Sequence, residues 1–258
     1  MRTVPVFDRV AGVFDEVLPF FATFAGQTVE ALPLGDGVRL LDLGAGRGAV
    51  TGRALAAGCR VTAVDAAPAM VARLASDHPG AEVLLMDAHR LELPDAGQDV
   101  AVAAFVMHLL DDPVVAAREV RRVLVPGGQF ALTVPDGVSG TGPGTVDPGP
   151  ALIQEFSRYL PRDLRDQVPP DQGAVLAEAG FVDVERGHLE VCLPVPDAAT
   201  YWRWMLSHGC AGYLDALPSR RQEELRLRIH EELAGLPEPV VHRGAALWTG
   251  RVPGRREA

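Results

Sequence analysis

The chain contains no lysine. All 24 of its basic residues are arginine, set against 34 acidic ones, and the net charge is −10. That balance leaves no basic footprint of the kind a phosphate backbone requires, and it argues against a nucleic-acid partner. With Ala, Gly and Pro abundant, the arginine-only choice resembles the codon bias of a GC-rich genome. It also removes any Tyr-x-x-x-Lys pair, and with it that form of nicotinamide-dependent oxidoreductase. Cysteine is scarce: Cys59, Cys192 and Cys210 are odd in number and scattered, which excludes a disulfide framework and favours a reducing compartment. No apolar run reaches the length of a membrane span and no signal peptide is visible, so a soluble, cytoplasmic protein without a membrane partner is expected. The seven histidines show no H-E-x-x-H or other zinc spacing, and a metal-independent activity is expected.

What is present is organised around Val38 to Gly48, VRLLDLGAGRG. Val38, Leu40, Leu41 and Leu43 form an apolar run that reads as a buried parallel strand. Gly44, Gly46 and Gly48 then remove side chains where the backbone must turn sharply and approach a ligand. Ala49 to Ala57 has the composition of a helix opening on that loop. Strand, glycine loop and helix N-terminus together predict a nucleotide-type pocket. Gly44, Gly46 and Ala49 also satisfy G-x-G-x-x-G/A, which alone is a weak signal. A second strand, RVTAV at 60–64, ends in Asp65, roughly 20 residues on, where a carboxylate can accept both hydroxyls of a ribose.

Four stretches in sequence resemble the class I S-adenosylmethionine-dependent methyltransferases, in particular the small-molecule group related to the ubiquinone-pathway enzymes. They are LLDLGAGRG at 40–48, VTAVDAAPAMVARL at 61–74, MDAHRLELPDAGQDVAVAAFVMHLLDD at 86–112 and AAREVRRVLVPGGQFALTVPD at 116–136. The resemblance implies an α/β, Rossmann-like sheet of seven mostly parallel strands, the last antiparallel, with helices on both faces and a helical lid. It implies S-adenosyl-L-methionine as cofactor, with S-adenosyl-L-homocysteine as product. Carried over to this chain, the cofactor contacts are Asp42, Gly44, Ala45, Gly46, Asp65, Ala66, Met70, Asp87, Ala88, Phe105 and Val106. Asp87 among them is the carboxylate for the adenine amino group. The Pro126-Gly127-Gly128 turn is structural in that family.

A single domain is expected over 1–258, of a length that can bury a full core. A helical lid at 1–34 precedes a cofactor-binding core at 35–136. A cap insertion at 137–168, further core at 169–193, a second cap insertion at 194–239 and the last strand and tail at 240–258 follow. In the lid, Val10, Val13, Phe14, Val17, Leu18 and Phe21 keep helical spacing, with Asp8, Arg9, Asp15 and Glu16 on the opposite face and Pro19 bending or ending the first helix. Residues 137–150 are rich in glycine and proline and predict a flexible loop above the strand ends. Leu225, Ile229, Leu233 and Leu236 predict an amphipathic cap helix.

The second insertion gathers Tyr201, Trp202, Trp204, Met205 and His208 in a chain that is only 6% aromatic. The expected acceptor-binding residues are Phe7, Phe14, Phe21, Tyr201, Trp202 and Met205. Two candidate bases suit a proton-bearing acceptor: His108 at the end of strand four, and His208 from the cap. Two sub-classes drop out, because neither an Asn/Asp-Pro-Pro-aromatic motif nor paired metal-holding carboxylates follow strand four. The reading is methyl transfer to an O, N or C atom of a small, fairly apolar metabolite in natural-product biosynthesis, by a monomer or homodimer. The alternative is a cofactor-binding or cyclising protein that transfers no methyl group.

Overall fold

The computed structural model describes residues 3–136, 147–165 and 170–254. The glycine- and proline-rich segment at 137–146 therefore lies outside the described residues. Seven strands form one sheet: β1 (Arg39–Leu43), β2 (Arg60–Asp65), β3 (Glu82–Leu85), β4 (Gln98–Ala104), β5 (Leu124–Pro135), β6 (Val182–Pro194) and β7 (Val240–Arg251). Their order is β3-β2-β1-β4-β5-β7-β6. The first five strands pair in parallel, whereas β7 runs antiparallel to both β5 and β6.

Alternation along the strands explains the layers. Leu41 and Leu43 of β1, Ala101 and Ala103 of β4, and Phe130 and Leu132 of β5 join one buried cluster. Their neighbours Leu40, Val100, Val102 and Ala131 join the other. Successive side chains of a strand leave opposite faces, so runs that are apolar throughout must be covered on both sides. On the first face the cover is α5 (Pro113–Val123), through Ala116, Val120 and Val123, and α8 (Gln172–Glu178), through Val175 and Leu176. On the second it is α2 (Phe20–Glu30), α3 (Ala49–Ala56) and α4 (Pro68–Asp77), through Ala25, Val50, Ala54 and Leu74. Local chemistry sets the boundaries. Asp112 caps α5 by accepting from the Val115 N–H, Asp171 caps α8 by accepting from Ala174, and Pro68 and Pro113 begin helices where no N–H is needed.

A third cluster forms the cap. The outer ends of β6 and β7 pair only with each other, from Glu190↔Gly244 to Pro194↔Val240, and so overhang the carboxyl ends of the parallel strands. Between them run α9 (Ala198–Leu206), α10 (Cys210–Ala216) and α11 (Ser219–Ala234). Trp204, Met205, Leu214, Leu225, Ile229 and Leu233 pack there against Phe20 and Phe24 of α2 and Leu152 and Phe156 of α6 (Gly149–Phe156). The amphipathic helix expected at 225–236 is α11.

The N-terminal segment differs from its expected form. Val4–Val10 is a helix, α1, but residues 11–16 are turns, with Asp15 at φ 57°, and Pro19 caps the start of α2 instead of ending an earlier helix. Asp15 does not sit on a solvated face. Its carboxylate accepts from the Phe21 and Ala22 amides at 2.9 and 2.8 Å and takes over the capping of α2 that Pro19 cannot supply.

Candidate active site

The site begins at the carboxyl end of β1. Asp42, wholly buried on that strand, accepts from the Thr51 amide at 2.9 Å and its hydroxyl at 2.6 Å, tying the first turn of α3 to the strand. Burial, and secondarily Asp65, push its carboxyl up to about 7. Between strand and helix the loop turns through Gly44, Gly46 and Gly48, all with positive φ. A Cβ on Gly44 would meet Val106 Cγ2 at 2.4 Å, so close packing excludes any side chain. A Cβ on Gly46 would meet only Phe14 Cε1, at 3.8 Å, so that glycine keeps space open.

Asp65 ends β2 beside this loop. One carboxylate oxygen accepts from the Gly46 amide at 2.9 Å and the other from Ala67 at 2.8 Å. Burial raises its pKa and the backbone amides hold it back. Two anchored oxygens, each with a further lone pair, are suited to accept from a diol.

Phe105 follows β4 at φ 59°, an uncommon conformation for a bulky residue and one that clusters at functional sites. It is held by Thr133, whose carbonyl and hydroxyl accept from the Phe105 amide at 3.0 and 3.1 Å. The turn lifts the ring into a layer with Phe20, Phe21 and Phe24, at centroid distances of 6.1, 5.5 and 5.1 Å. That layer continues through the stacked pair Phe14–Phe21 at 4.7 Å and on to Phe7 in one direction, and through Phe20 to Trp204 and His208 in the other.

Glycine loop and aromatic layer both line one cavity of about 760 Å³. Of the expected cofactor residues, Asp42, Gly44, Ala45, Gly46, Asp65, Ala66, Met70, Ala88, Phe105 and Val106 all line it. Asp87 does not. Its carboxylate accepts from the His89 amide at 2.9 Å and contacts His89 Nδ1 at 2.6 Å, which lowers its pKa. Phe7, Phe14, Phe21 and Met205 line the cavity as expected, but Tyr201 and Trp202 do not reach it. Tyr201 is wholly buried behind the wall, its hydroxyl donating to Asp147 at 2.6 Å and accepting from Arg243 at 3.1 Å. Trp202, half-buried, packs against the cap cluster.

Both histidines line the cavity, and burial pushes each down to about 4. Both rings are neutral at pH 7. The Nδ1 of His108 has no hydrogen-bond partner. In His208, Nδ1 accepts from the Cys210 amide at 3.2 Å, which places the proton of the neutral ring on Nε2. That corrects the expectation of a base at His208: its free nitrogen is a donor, and its acceptor nitrogen is taken. Sequence reasoning also missed Arg47, Phe20, Ile153 and Arg243, all of which line the cavity. Arg47 bridges the glycine loop to Glu16 and to Asp77, the latter at 3.0 Å. The charge of Arg243 beside the apolar run at 245–248 was the one signal for it. Among the described residues, no three His, Cys, Asp or Glu side chains gather to hold a metal ion, and no helix is long and apolar enough to cross a membrane.

Residues 41–132 match the model of a family described as a methyltransferase domain. Over 240 residues the chain is 30% identical to the nocamycin O-methyltransferase of Saccharothrix syringae, covering 84% of this chain and 85% of that protein. Among solved structures it resembles the [4+2]-cyclase SpnF, at 23% identity and TM-score 0.57 over 90% of this chain and 82% of that one. It also resembles a Haemonchus contortus phosphoethanolamine N-methyltransferase in complex with S-adenosyl-L-methionine, at 18% identity and TM-score 0.55, covering 90% of this chain and 52% of that one. These two likenesses carry the fold, while the nocamycin relative carries the family. With the glycine loop, the carboxylate after β2 and the sheet order in place, the chain belongs to the class I S-adenosylmethionine-dependent methyltransferases, and S-adenosylmethionine is its cofactor.

Proposed function

We propose that this methyltransferase acts on an oxygen atom of a small, largely apolar metabolite of specialised biosynthesis. The observation that carries the reading is continuity: one cavity of about 760 Å³ joins the glycine loop and Asp65 to the aromatic wall of Phe20, Phe105, Trp204 and Met205. A volume in that range suits small-molecule ligands, and lining that is mostly apolar excludes water from two reactants held side by side. Similarity to an O-methyltransferase over most of both chains supports oxygen as the accepting atom.

In this reading the open space at Gly46 and the paired oxygens of Asp65 hold the cofactor's ribose, with Met70, Ala88 and Val106 around the base. When bound, the cofactor supplies a methyl group already activated on a sulfonium centre. The chain's own part is alignment and proton handling. His108, which lines the cavity as a neutral ring, takes the acceptor's proton. Held near 4 by burial, it is mismatched to an ordinary alcohol and suits a hydroxyl that is itself acidic. Most of the rate then comes from positioning.

Calorimetric titration with S-adenosylmethionine, S-adenosylhomocysteine and NAD tests the cradle, and acceptor panels followed by S-adenosylhomocysteine formation test the transfer. Both adenosyl ligands bind and NAD does not. Asp65→Ala, its circular dichroism unchanged, weakens both by about 100-fold, the loss of roughly 3 kcal/mol of charge-assisted hydrogen bonding. Unchanged affinity removes Asp65 from the site. Binding without transfer to any acceptor would favour the non-methylating alternative.

A further inference from the structure

The N-terminal segment is tied to both halves of the molecule. On the core side the Asp8 carboxylate accepts from the Ala69 amide, in the first turn of α4, at 2.7 Å. On the cap side Arg9 pairs with Asp215 of α10 at 2.5 Å. Val10 and Ala11 are buried with Ala67, Met70 and Ala211 in a small cluster of their own. The turns at 11–16 then bring Phe14 to the glycine loop. Its ring stacks on Phe21 at 4.7 Å, and its Cε1 lies 3.8 Å from where a Cβ of Gly46 would stand. Phe14 therefore stands over the glycine that, in the reading above, leaves room for the ribose.

One cation holds the turns there. Arg47 lies in the glycine loop between Gly46 and Gly48, and its side chain is only 16% exposed. It donates to the Phe14 carbonyl at 3.4 Å, pairs with Glu16, and pairs through its other amino group with Asp77 at 3.0 Å. Asp77 is the last residue of α4, so helix, glycine loop and N-terminal segment converge on one guanidinium, whose planar fork of donors can serve several acceptors at once. The turn itself needs glycines and not an arginine; every partner of this guanidinium lies on another element. We propose that Glu16, Arg47 and Asp77 form a latch that keeps the N-terminal segment over the cofactor half of the cavity, and that parting of the Glu16–Arg47 pair sets how fast S-adenosylmethionine enters and S-adenosylhomocysteine leaves. This rests on the reading of the glycine loop as the cofactor cradle and deepens it. Each tie joins groups of the chain itself, so the latch opposes entry and exit alike and changes the rates more than the affinity. Glu16 is 54% exposed, so its pair is open to screening by salt.

The test measures association and dissociation of S-adenosylhomocysteine by surface plasmon resonance on the whole chain, wild type and Glu16→Ala, between about 0.05 M and about 1 M sodium chloride, where the Debye length shrinks to roughly 3 Å. In wild type both rate constants rise about fivefold with salt, the size expected for one partly exposed ion pair, while Kd moves less than about twofold. Glu16→Ala shows the faster rates already at low salt, and its salt response shrinks to about twofold. Its circular dichroism is unchanged, and hydrogen exchange quickens at the Val13, Phe14 and Glu16 amides, which bond to the Val10 and Val13 carbonyls. Rates insensitive to both salt and the substitution overturn the latch. So does a faster dissociation matched by an equal loss of affinity, which would make Glu16 a binding contact. Failure of S-adenosylhomocysteine to bind either protein would overturn the cofactor cradle, and the latch with it; the equilibrium Kd, measured first, tells the two failures apart.

Discussion

Asp42 lies on a strand covered on both faces, and its carboxyl is pushed up to about 7 against an unfolded value near 3.9. The sign of the consequence follows from proton binding. Between those two values the folded chain holds a proton that the unfolded chain has released. The contribution to stability is complete below about pH 4 and is lost as the pH rises through 7. Asp42→Asn keeps an acceptor for the Thr51 amide and cannot ionise. Relative to wild type its stability rises between pH 4 and pH 8, by up to about 4 kcal/mol for a shift of this size. Paired denaturant titrations at several pH values check it, and parallel profiles would show that Asp42 titrates normally. The same carboxylate explains why a charged residue was tolerated in an apolar run: two hydrogen bonds from Thr51 take the place of water.

Among elements, the glycine loop separates packing from ligand space. Gly44→Ala sets a methyl against Val106 at positive φ and destabilises the fold by roughly 2 kcal/mol or more, seen as a drop in Tm. Gly46→Ala meets open space, so its cost is confined to backbone strain of about 1 kcal/mol, and its main effect is weaker S-adenosylhomocysteine binding in calorimetry. At α2, Asp15→Ala removes the acceptor for two first-turn amides. It costs about 1–2 kcal/mol and speeds hydrogen exchange at Phe21 and Ala22. Parallel strands and glycine turn were legible in the sequence because period and turn residues are local. The N-terminal segment was not. Val10, Val13, Phe14 and Val17 keep a helical period, yet residues 11–16 form turns with Asp15 at positive φ between α1 and α2, and the ring of Phe14 comes near Gly46 through contacts no local pattern encodes. Tyr201 and Trp202 were misjudged likewise: an aromatic cluster in a cap does not reveal which rings face a cavity and which lie behind its wall.

At the level of the molecule, cap and sheet are joined by a buried charge. Asp147 accepts from the His242 amide, the Gly149 amide and the Tyr201 hydroxyl, and pairs with Arg243, so α6, α9 and β7 meet at one carboxylate. Asp147→Asn leaves the Arg243 cation buried without its counter-ion and costs about 3–5 kcal/mol. The double variant Asp147→Asn/Arg243→Met recovers part of that loss in thermal denaturation. Equal loss in single and double variants would mean that the ion pair is not the joint. The strand order has a consequence in time as well as in space. In the sheet β6 touches only β7, and β7, the seventh strand in the chain, must enter between β5 and β6. The five parallel strands can assemble as the chain emerges from the ribosome, but β6 and the helices after it have no sheet to join until Val240–Arg251 has been made. Pairings so distant in sequence are slow to form. The cap end of the cavity is thus completed last, after a nascent stage in which the apolar faces of α9 and α11 lack their partner strand.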